Sequence, residues 1–362
     1  MRLAPAAQAQ GTPTPTPPPD CSVTPTPSAQ PTQTPTACAN CNRQTYPTDM
    51  GFAPTATPIP DDFQPTDRNT KLQYRAYLPT PAASWGPSPW PSVIVIHGGG
   101  FRSGHPFQGG PDQAAVSLAQ AGYYVRNVDY ELAPCALLPI GQACHDNTSA
   151  GQASGRPPQQ TDDIKAQIRA LRADPACNGN IGILGGSAGG SHAVFCAIDK
   201  TATANHWPHW CENGADDRPD CAVSLSGGYD FSDRTPESYD TDGSVLLAFI
   251  NDVENYTHTG DLGIQRSYSP VGLTILANDF KPLFLINSIH DTMPYHQIVD
   301  MICALEAAGL AEPDDYQTLT ITNDNSSEHE FGYWDSWDGQ PCIGPCKSIS
   351  ADVIAFLDAH LK

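Results

Sequence analysis

The chain has 362 residues, of which 39% are hydrophobic and 16% are charged, so it can bury a sizeable core. Its 18 basic residues against 39 acidic ones give a formal net charge of −21, which disfavours binding to nucleic acid and to anionic membrane surfaces. No apolar run reaches the length that a membrane-spanning helix needs. These numbers disfavour nucleic-acid binding, predict no membrane-spanning helix and leave room for one large folded unit.

The first 60 residues differ in composition from the rest of the chain. They contain 14 of the 36 prolines and 12 threonines, but only four charged residues. Such a segment buries too little apolar surface to offset the entropy lost on ordering, so we expect it to be disordered. The chain is therefore predicted to consist of a Thr/Pro-rich linker or tail, residues 1–62, and one folded domain, residues 63–362.

Twelve cysteines, an even number, together with few lysines and the Thr/Pro-rich segment, favour an exported protein with disulfide bonds. The pairing of the cysteines does not follow from the sequence. Zinc binding is the alternative for Cys38 and Cys41, but no second Cys-x-x-Cys follows at zinc-finger spacing. We expect an extracellular location, with attachment to a cell surface as a further option.

Apolar patterns predict strands that alternate with helices. Residues 72–78 alternate as a half-buried strand does, whereas residues 93–96 form a continuous β-branched run, which is typical of a strand buried on both faces. Further strands are predicted at residues 123–129, 181–184, 222–225, 282–287 and 319–321. Helices are predicted at residues 111–122, after Thr161 as N-cap, after Ser187, at residues 294–309, and after Ser350 as N-cap. This order predicts an α/β fold with a mostly parallel central sheet flanked by helices. Residues 227–281 have weak periodicity, and we expect them to form a lid or excursion over the strand ends.

The strongest local motif is Gly185-x-Ser187-x-Gly189, which lies between a predicted strand and a predicted helix. A serine on such a sharp turn is exposed for attack, and the amides of the following helix favour negative charge near it. The motif alone also occurs in ordinary β–α connections. Its position after an apolar strand favours the interpretation of Ser187 as a nucleophile.

A glycine run, His97-Gly98-Gly99-Gly100, follows another buried strand. Backbone N–H groups that stabilise an oxyanion must approach it without interfering Cβ atoms, and glycines permit this. We expect the amides of Gly99 and Gly100, with that of Ala188, to form an oxyanion hole. His97 is interpreted as structural support for this loop.

A serine nucleophile needs a base and an acid. His329 lies in a loop after the last predicted strand, and Asp291 follows the strand at residues 282–287. Alternative roles are solvent exposure for the histidine and helix capping for the aspartate. The chain order Ser187, Asp291, His329 is the one found in α/β-hydrolases, whereas chymotrypsin-like and subtilisin-like enzymes use other orders.

Several motifs of the chain together resemble those of a known enzyme family. The motifs His97–Phe101, Asp129–Pro134, Gly185–Gly190, Ser269-Pro270 and Asp291-x-x-Pro294 resemble those of α/β-hydrolase esterases, in particular the hormone-sensitive-lipase-like esterases and the related bacterial carbohydrate and feruloyl esterases. Two positions depart from the family pattern: Glu131 stands where arginine is usual, and Ser288 where glycine is frequent. The resemblance implies an α/β-hydrolase fold and a serine esterase with a Ser187–Asp291–His329 triad, which needs no metal or organic cofactor.

The substrate class is less clearly indicated than the chemistry. A Thr/Pro-rich linker on an exported enzyme favours plant polysaccharide esters, acetyl or feruloyl, or other short-chain esters. Phe101, Tyr333 and Trp334 are the expected substrate contacts. Tyr333, Trp334 and Trp337 are the rings expected to stack on a sugar or an aromatic acyl group. The alternative is that Tyr333, Trp334 and Trp337 pack in the core.

Two other functions remain open at this stage. A peptidase of the prolyl-oligopeptidase kind shares the fold and the triad order, although the glycine run favours ester hydrolysis. A non-catalytic binding module with the same fold is the second alternative, since a fold alone does not prove activity. The oligomeric state and the acyl and alcohol specificity do not follow from the sequence.

Overall fold

The computed structural model describes residues 72, 74–80, 82–133, 155–157, 159–198, 217–274, 277, 279–322, 328–336, 338 and 347–362. Its strands are β1 (Tyr74–Tyr77), β2 (Trp90–Ile96), β3 (Tyr124–Val128), β4 (Cys177–Gly186), β5 (Cys221–Leu225), β6 (Leu283–Ser288) and β7 (Tyr316–Ile321). They form one sheet in the order β1-β3-β2-β4-β5-β6-β7. Strand β1 pairs antiparallel with β3, and all other pairings in this sheet are parallel.

Helices lie between the strands in the chain, as predicted from the patterns. They are α1 (Ala82–Trp85), α2 (Gly109–Gln120), α3 (Gln159–Arg172), α4 (Ala188–Ala197), α5 (Ser244–Thr257), α6 (Leu262–Ser267), α7 (Pro270–Thr274), α8 (His296–Ala307) and α9 (Ile349–Leu361), with a 3₁₀ helix at Glu330–Tyr333. The α/β-hydrolase architecture predicted from the resemblance is confirmed. No helix within the described part of the chain is long and apolar enough to cross a membrane.

The central strands are apolar on both faces because both faces of the sheet are covered. In β2, Ile94 and Ile96 contribute to one core cluster, together with residues of α3, α4 and α8. Val93 and Val95 contribute to a second cluster, together with residues of α2 and α9. The continuous β-branched run in the sequence follows directly from this double burial.

The order of the strands predicts a crevice at the carboxyl ends of β2 and β4. Strand β3 lies on one side of β2, and β4, the next strand in the chain, lies on the other side. Connections that leave in opposite directions open a gap at the carboxyl edge of a parallel sheet, where ligands bind in open α/β folds. The glycine run after β2 and Ser187 after β4 both lie at this edge.

Several predicted details are wrong in position. Thr161 lies inside α3 rather than at its N-cap, and its Oγ1 is 3.0 Å from Nδ1 of His192. The N-cap of α9 is Ser348, whose side chain accepts a hydrogen bond from the Ala351 amide, whereas Ser350 lies within the helix. The segment at residues 227–281 contains the helices α5, α6 and α7, which the weak periodicity did not predict.

Three cysteines depart from the expected disulfide pattern. Cys177, Cys196 and Cys221 are free thiols, so no disulfide involves them. Cys21, Cys38, Cys41 and the predicted tail at residues 1–62 lie outside the described residues, as does Trp337. The boundary between tail and domain stays a prediction.

We predict that truncating a core leucine of the sheet destabilises the protein strongly. Leu184 in β4 is 0% exposed, so Leu184→Ala should lower the free energy of unfolding by about 2–5 kcal/mol. Leu247 on α5 is 58% exposed, and Leu247→Ala is the matched control, with an expected change within about 0.5 kcal/mol. Urea unfolding followed by circular dichroism measures both. Equal losses in the two variants would contradict the burial described here.

Candidate active site

Ser187 lies on a sharp turn between β4 and α4. Its backbone has φ 52° and ψ −121°, a positive-φ conformation that is costly for a residue with a side chain. Its amide donates to the Leu225 carbonyl at 2.8 Å, which ties the turn to β5. A Cβ at Gly189 would lie 2.5 Å from the carbonyl oxygens of Ile96 and His97, so glycine is needed there for the close approach of α4 to β2. The Gly-x-Ser-x-Gly motif is thus explained by a strained turn packed against two strands.

Asp291 and His329 are brought together by the loops after β6 and β7. The distance between Nδ1 of His329 and Oδ1 of Asp291 is 2.5 Å. The carboxylate of Asp291 is buried and also accepts from the Met293 amide at 2.9 Å. Because Nδ1 bonds to the carboxylate, Nε2 is the ring nitrogen left to act on a hydroxyl. The His329 side chain is 27% exposed, so the imidazole is accessible from the crevice.

The surroundings of His329 favour its charged form. Burial opposes the charge, but the hydrogen bond and the negative charge of Asp291 outweigh it, with further contributions from Glu330 and Asp252. The pKa of His329 is therefore raised above its ordinary value of 6.5. A histidine with a raised pKa takes up a proton more readily than a free imidazole does.

Ser226, at the end of β5, links the parts of the site and was missed by the sequence analysis. Its Oγ donates to Oδ2 of Asp291 at 2.5 Å and accepts from the Glu330 amide at 3.0 Å. The Tyr333 hydroxyl lies 2.9 Å from the same oxygen. Ser226 therefore fixes the carboxylate and the loop that carries His329 at the same time. A single serine after a strand gives no signal in the sequence.

Ser288, noted as a departure from the family pattern, also contributes to this network. Its hydroxyl lies 3.4 Å from Oδ2 of Asp291 and donates to the carbonyl of Glu328. That carbonyl immediately precedes His329 in the chain. A glycine at position 288 could make neither contact, so the serine adds support to the loop that carries His329.

The glycine run after β2 is held by buried polar contacts. Nδ1 of His97 donates to the Gly98 carbonyl at 2.7 Å, and its ring stacks on Tyr130 with centroids 4.4 Å apart. Gly99 has φ +114°, and a Cβ there would overlap the Ser103 carbonyl, so only glycine fits. The supporting role expected for His97 is consistent with these contacts. The roles of Gly99, Gly100 and Ala188 as oxyanion donors stay a prediction.

Helix α5 of the segment at residues 227–281 lies against this loop. The carboxylate of Asp252 occupies the space that a side chain at Gly100 would need, and it accepts from Nε of Arg102 at 2.7 Å. Tyr256 of the same helix stacks on Phe101 with centroids 4.3 Å apart. Helix α5 thus packs on the glycine run, while the expected lid or excursion at residues 227–281 stays a prediction.

The aromatic residues proposed to contact substrate are buried. Tyr333 and Trp334 are 0% and 1% exposed, and Phe101 is buried between Tyr256 and other aromatic rings. Stacking on a sugar or an aromatic acyl group needs an open ring face, which these rings lack. This burial favours the alternative, packing in the core. The sequence alone could not distinguish substrate contact from core packing, because aromatic rings suit both environments.

Comparison with known proteins gives one family. The model of a family described as alpha/beta hydrolase fold matches residues 93–297, which is more than half of the chain. No curated protein matches the sequence.

Solved structures of similar fold are esterases and related enzymes. A native thermophilic esterase from the Planctomycetes species Thermogutta terrifontis is 19% identical, with a TM-score of 0.52 over 89% of this chain and 95% of that one. Esterase 2 of the same organism, phosphonylated by sarin, is 18% identical, with a TM-score of 0.53 over 80% and 89% of the two chains. A bifunctional GH43-CE protein from Bacteroides eggerthii is 20% identical, with a TM-score of 0.52 over 83% of this chain and 34% of that one. At these identities the likeness establishes the fold.

We predict that Ser226→Ala slows the reaction of Ser187 with a fluorophosphonate probe by about 10- to 100-fold. The variant removes one hydrogen bond to the Asp291 carboxylate, a contribution of about 1.5–3 kcal/mol for a charged acceptor. The labelling rate of purified protein, read by in-gel fluorescence, is the measurement. Ser224→Ala is the control, because the Ser224 hydroxyl bonds to Tyr229 and not to Asp291. An unchanged labelling rate in Ser226→Ala would contradict the linking role.

Proposed function

Because the chain belongs to the alpha/beta hydrolase fold family, we propose that it is a serine carboxylic-ester hydrolase that works through an acyl-enzyme. The observation that carries the proposal is the 2.5 Å contact between His329 and Asp291, at the sheet edge where Ser187 occupies its strained turn. A hydroxyl, an imidazole and a buried carboxylate in this chain order are the components of nucleophilic acyl transfer.

The proposed reaction has two halves. In the first, Oγ of Ser187 attacks the ester carbonyl while Nε2 of His329 takes the hydroxyl proton, and Asp291 orients and stabilises the resulting imidazolium. The protonated imidazole then gives its proton to the departing alcohol, which leaves an acyl group on Ser187. In the second half, water attacks the acyl-enzyme by the same proton transfers, and the acid is released.

Negative charge on the former carbonyl oxygen needs donors that are already in place. The amides of Gly99, Gly100 and Ala188 are the proposed donors, since they follow β2 and begin α4 at the same edge of the sheet. The fixed glycine run needs no rearrangement when the charge forms. No metal or organic cofactor takes part in the proposed reaction.

Short-chain esters and acetyl or feruloyl esters of plant polysaccharides are the proposed substrates. The Thr/Pro-rich composition of residues 1–62 supports an enzyme exported to the cell exterior or surface, where such polymers are found. The burial of Tyr333 and Trp334 removes one argument for aromatic or sugar-stacking groups, so the acyl preference has to be measured.

We predict that Ser187→Ala abolishes ester hydrolysis. Loss of the nucleophile should lower kcat for p-nitrophenyl acetate by about 10³-fold or more. The variant should also fail to react with a fluorophosphonate, a reagent of the class that modifies the Thermogutta terrifontis esterase in its sarin complex. Ser191→Ala, one helical turn further on, is the control and should keep both activities. Full activity in Ser187→Ala would refute the proposed nucleophile.

A substrate panel separates the polysaccharide proposal from other esters. Purified protein is assayed with acetylated xylan, methyl ferulate, p-nitrophenyl esters of graded chain length, and a peptide anilide. Release of acetate or ferulate supports the proposal, whereas activity confined to short p-nitrophenyl esters contradicts it and leaves the esterase function intact. Cleavage of the anilide alone would indicate a peptidase.

The pH dependence of kcat/KM follows from the protonation of the proposed base, His329. The reaction needs neutral His329, and its raised pKa means that activity falls as the pH drops through a midpoint above 6.5. A pH–rate profile with p-nitrophenyl acetate, corrected with the rates of Ser187→Ala, gives this midpoint. A midpoint at or below 6.5 would contradict the raised pKa.

A further inference from the structure

Glu330, the residue after the proposed base, has an unusual environment. Its backbone has φ 46°, in the left-handed region, and its amide donates to Oγ of Ser226. This conformation turns the side chain into the interior of the site rather than toward solvent. Its Oε2 atom is buried and has no hydrogen-bond partner among the residues that the structure describes.

The carboxyl group lies in a space left by two glycines beside the nucleophile. A Cβ at Gly98 would overlap Oε2 of Glu330 and would lie 2.9 Å from Cβ of Ser187. A Cβ at Gly186, the residue before Ser187, would lie 2.7 Å from the same oxygen. Any larger residue at either position would compete with Glu330 for this space. The carboxyl group is therefore adjacent to the nucleophile, between the loop after β2 and the turn after β4.

Among the described residues, the positive group whose charge acts on the Glu330 carboxyl is the imidazole of His329. Three carboxylates act electrostatically on that ring: Asp291 from the loop after β6, Asp252 from α5, and Glu330 itself. Asp291 bonds to the ring directly, and Asp252 is paired with Arg102 at 2.7 Å. No lysine or arginine within the described residues forms an ion pair with Glu330, so its field acts on His329 with little compensation.

We propose that Glu330 is a positioning residue that acts through His329, as a second carboxylate that stabilises the imidazolium formed during acyl transfer. Asp291 holds the Nδ1 side of the ring, and Glu330 adds negative charge beside the nucleophile, where the proton leaves Oγ. The inference rests on the proposed function, because it assigns His329 the role of base. Resemblance and sequence pattern did not indicate it, since the carboxyl position depends on glycines far apart in the chain.

The protonation states of the two groups are coupled. Burial raises the pKa of the Glu330 carboxyl, while the positive charge of protonated His329 lowers it. Glu330 raises the pKa of His329 in turn. The carboxylate is thus most stable when the imidazole is protonated, which is the state that follows attack by Ser187. Removing the charge should lower the pKa of His329 and weaken it as a base.

The experiment compares pH–rate profiles of Glu330→Gln and wild type with p-nitrophenyl acetate. The neutral amide has nearly the same shape, so we expect the acidic midpoint of kcat/KM to fall by about one pH unit and the plateau to fall up to about tenfold. Glu330→Asp keeps the charge and should leave the midpoint nearer to the wild-type value. Glu328→Gln is the matched control in the same loop, because its carboxylate bonds to Ser336, and it should not move the midpoint.

The variant Glu330→Gly tests whether the shift of the midpoint comes from a purely structural effect. Glycine accepts the left-handed backbone at φ 46° without strain, so the melting temperature should equal or exceed that of wild type. The acidic midpoint should nevertheless fall as it does in Glu330→Gln. Unchanged midpoints in both variants would overturn the inference, even if the enzyme hydrolyses esters normally.

A second measurement separates this inference from the proposed function. In a Ser187→Ala background, nuclear magnetic resonance follows the His329 ring as the pH is varied, with and without Glu330→Gln. A drop of about one unit in the titration midpoint supports the electrostatic role without any turnover. An unchanged midpoint refutes it, whereas failure of wild type to hydrolyse any ester refutes the proposed function alone.

Discussion

The hydrogen bond between His329 and Asp291 is the interaction on which the site depends. A carboxylate buried in the protein interior is costly unless donors surround it, and Asp291 receives them from His329, Ser226 and the Met293 amide. The same bond fixes which ring nitrogen faces the crevice and raises the pKa of the imidazole. Geometry, tautomer and proton affinity therefore follow from one contact between two loops.

That contact requires the parallel sheet. Strands β4, β5, β6 and β7 run in one direction, so the residues that follow them in the chain collect at one edge: Ser187, Ser226, Asp291 and, further along, His329. The Ser226 hydroxyl donates to Asp291, and it also accepts a hydrogen bond from the amide of Glu330. A shift in the register of β5 would move this hydroxyl away from both partners. The precision of the site is thus a property of the sheet rather than of the loops.

The sequence allowed the sheet and the turn that carries Ser187 to be predicted, because both leave strong local patterns. The triad of Ser187, Asp291 and His329 stays a proposal. Double burial produces continuous apolar strands such as residues 93–96, and strained or crowded turns require glycines at fixed spacings. Helix α5 also left a pattern, since its buried Phe249, Val253 and Tyr256 follow helical spacing, but the surrounding polar residues obscured it.

Other features depend on contacts between distant residues and leave no local pattern. The role of Ser226 depends on where β6 places Asp291, and the position of the Glu330 carboxyl depends on Gly98 and Gly186. The burial of Tyr333 could not be predicted from the sequence either, because its hydroxyl contacts Ser226 and the Ile286 carbonyl only in the folded state. Tertiary contacts decide such cases, whatever the local preference of the residue.

Backbone strain is concentrated at the same edge of the sheet. Among the described residues other than glycine, five have positive φ, and four of them, Phe101, Ser187, Ser226 and Glu330, belong to the site or its support. Each such conformation costs about 1–2 kcal/mol, so it persists only where surrounding contacts impose it. The double-sided core of β2 and β4 supplies those contacts. Glycine would relieve the strain at each position, but it would also remove the aromatic ring of Phe101, a hydroxyl or a carboxylate from the site. The retained side chains therefore make this edge less stable than it could be. They include the serine of the strained turn, the hydroxyl that links Asp291 to the Glu330 amide, and a buried carboxyl group.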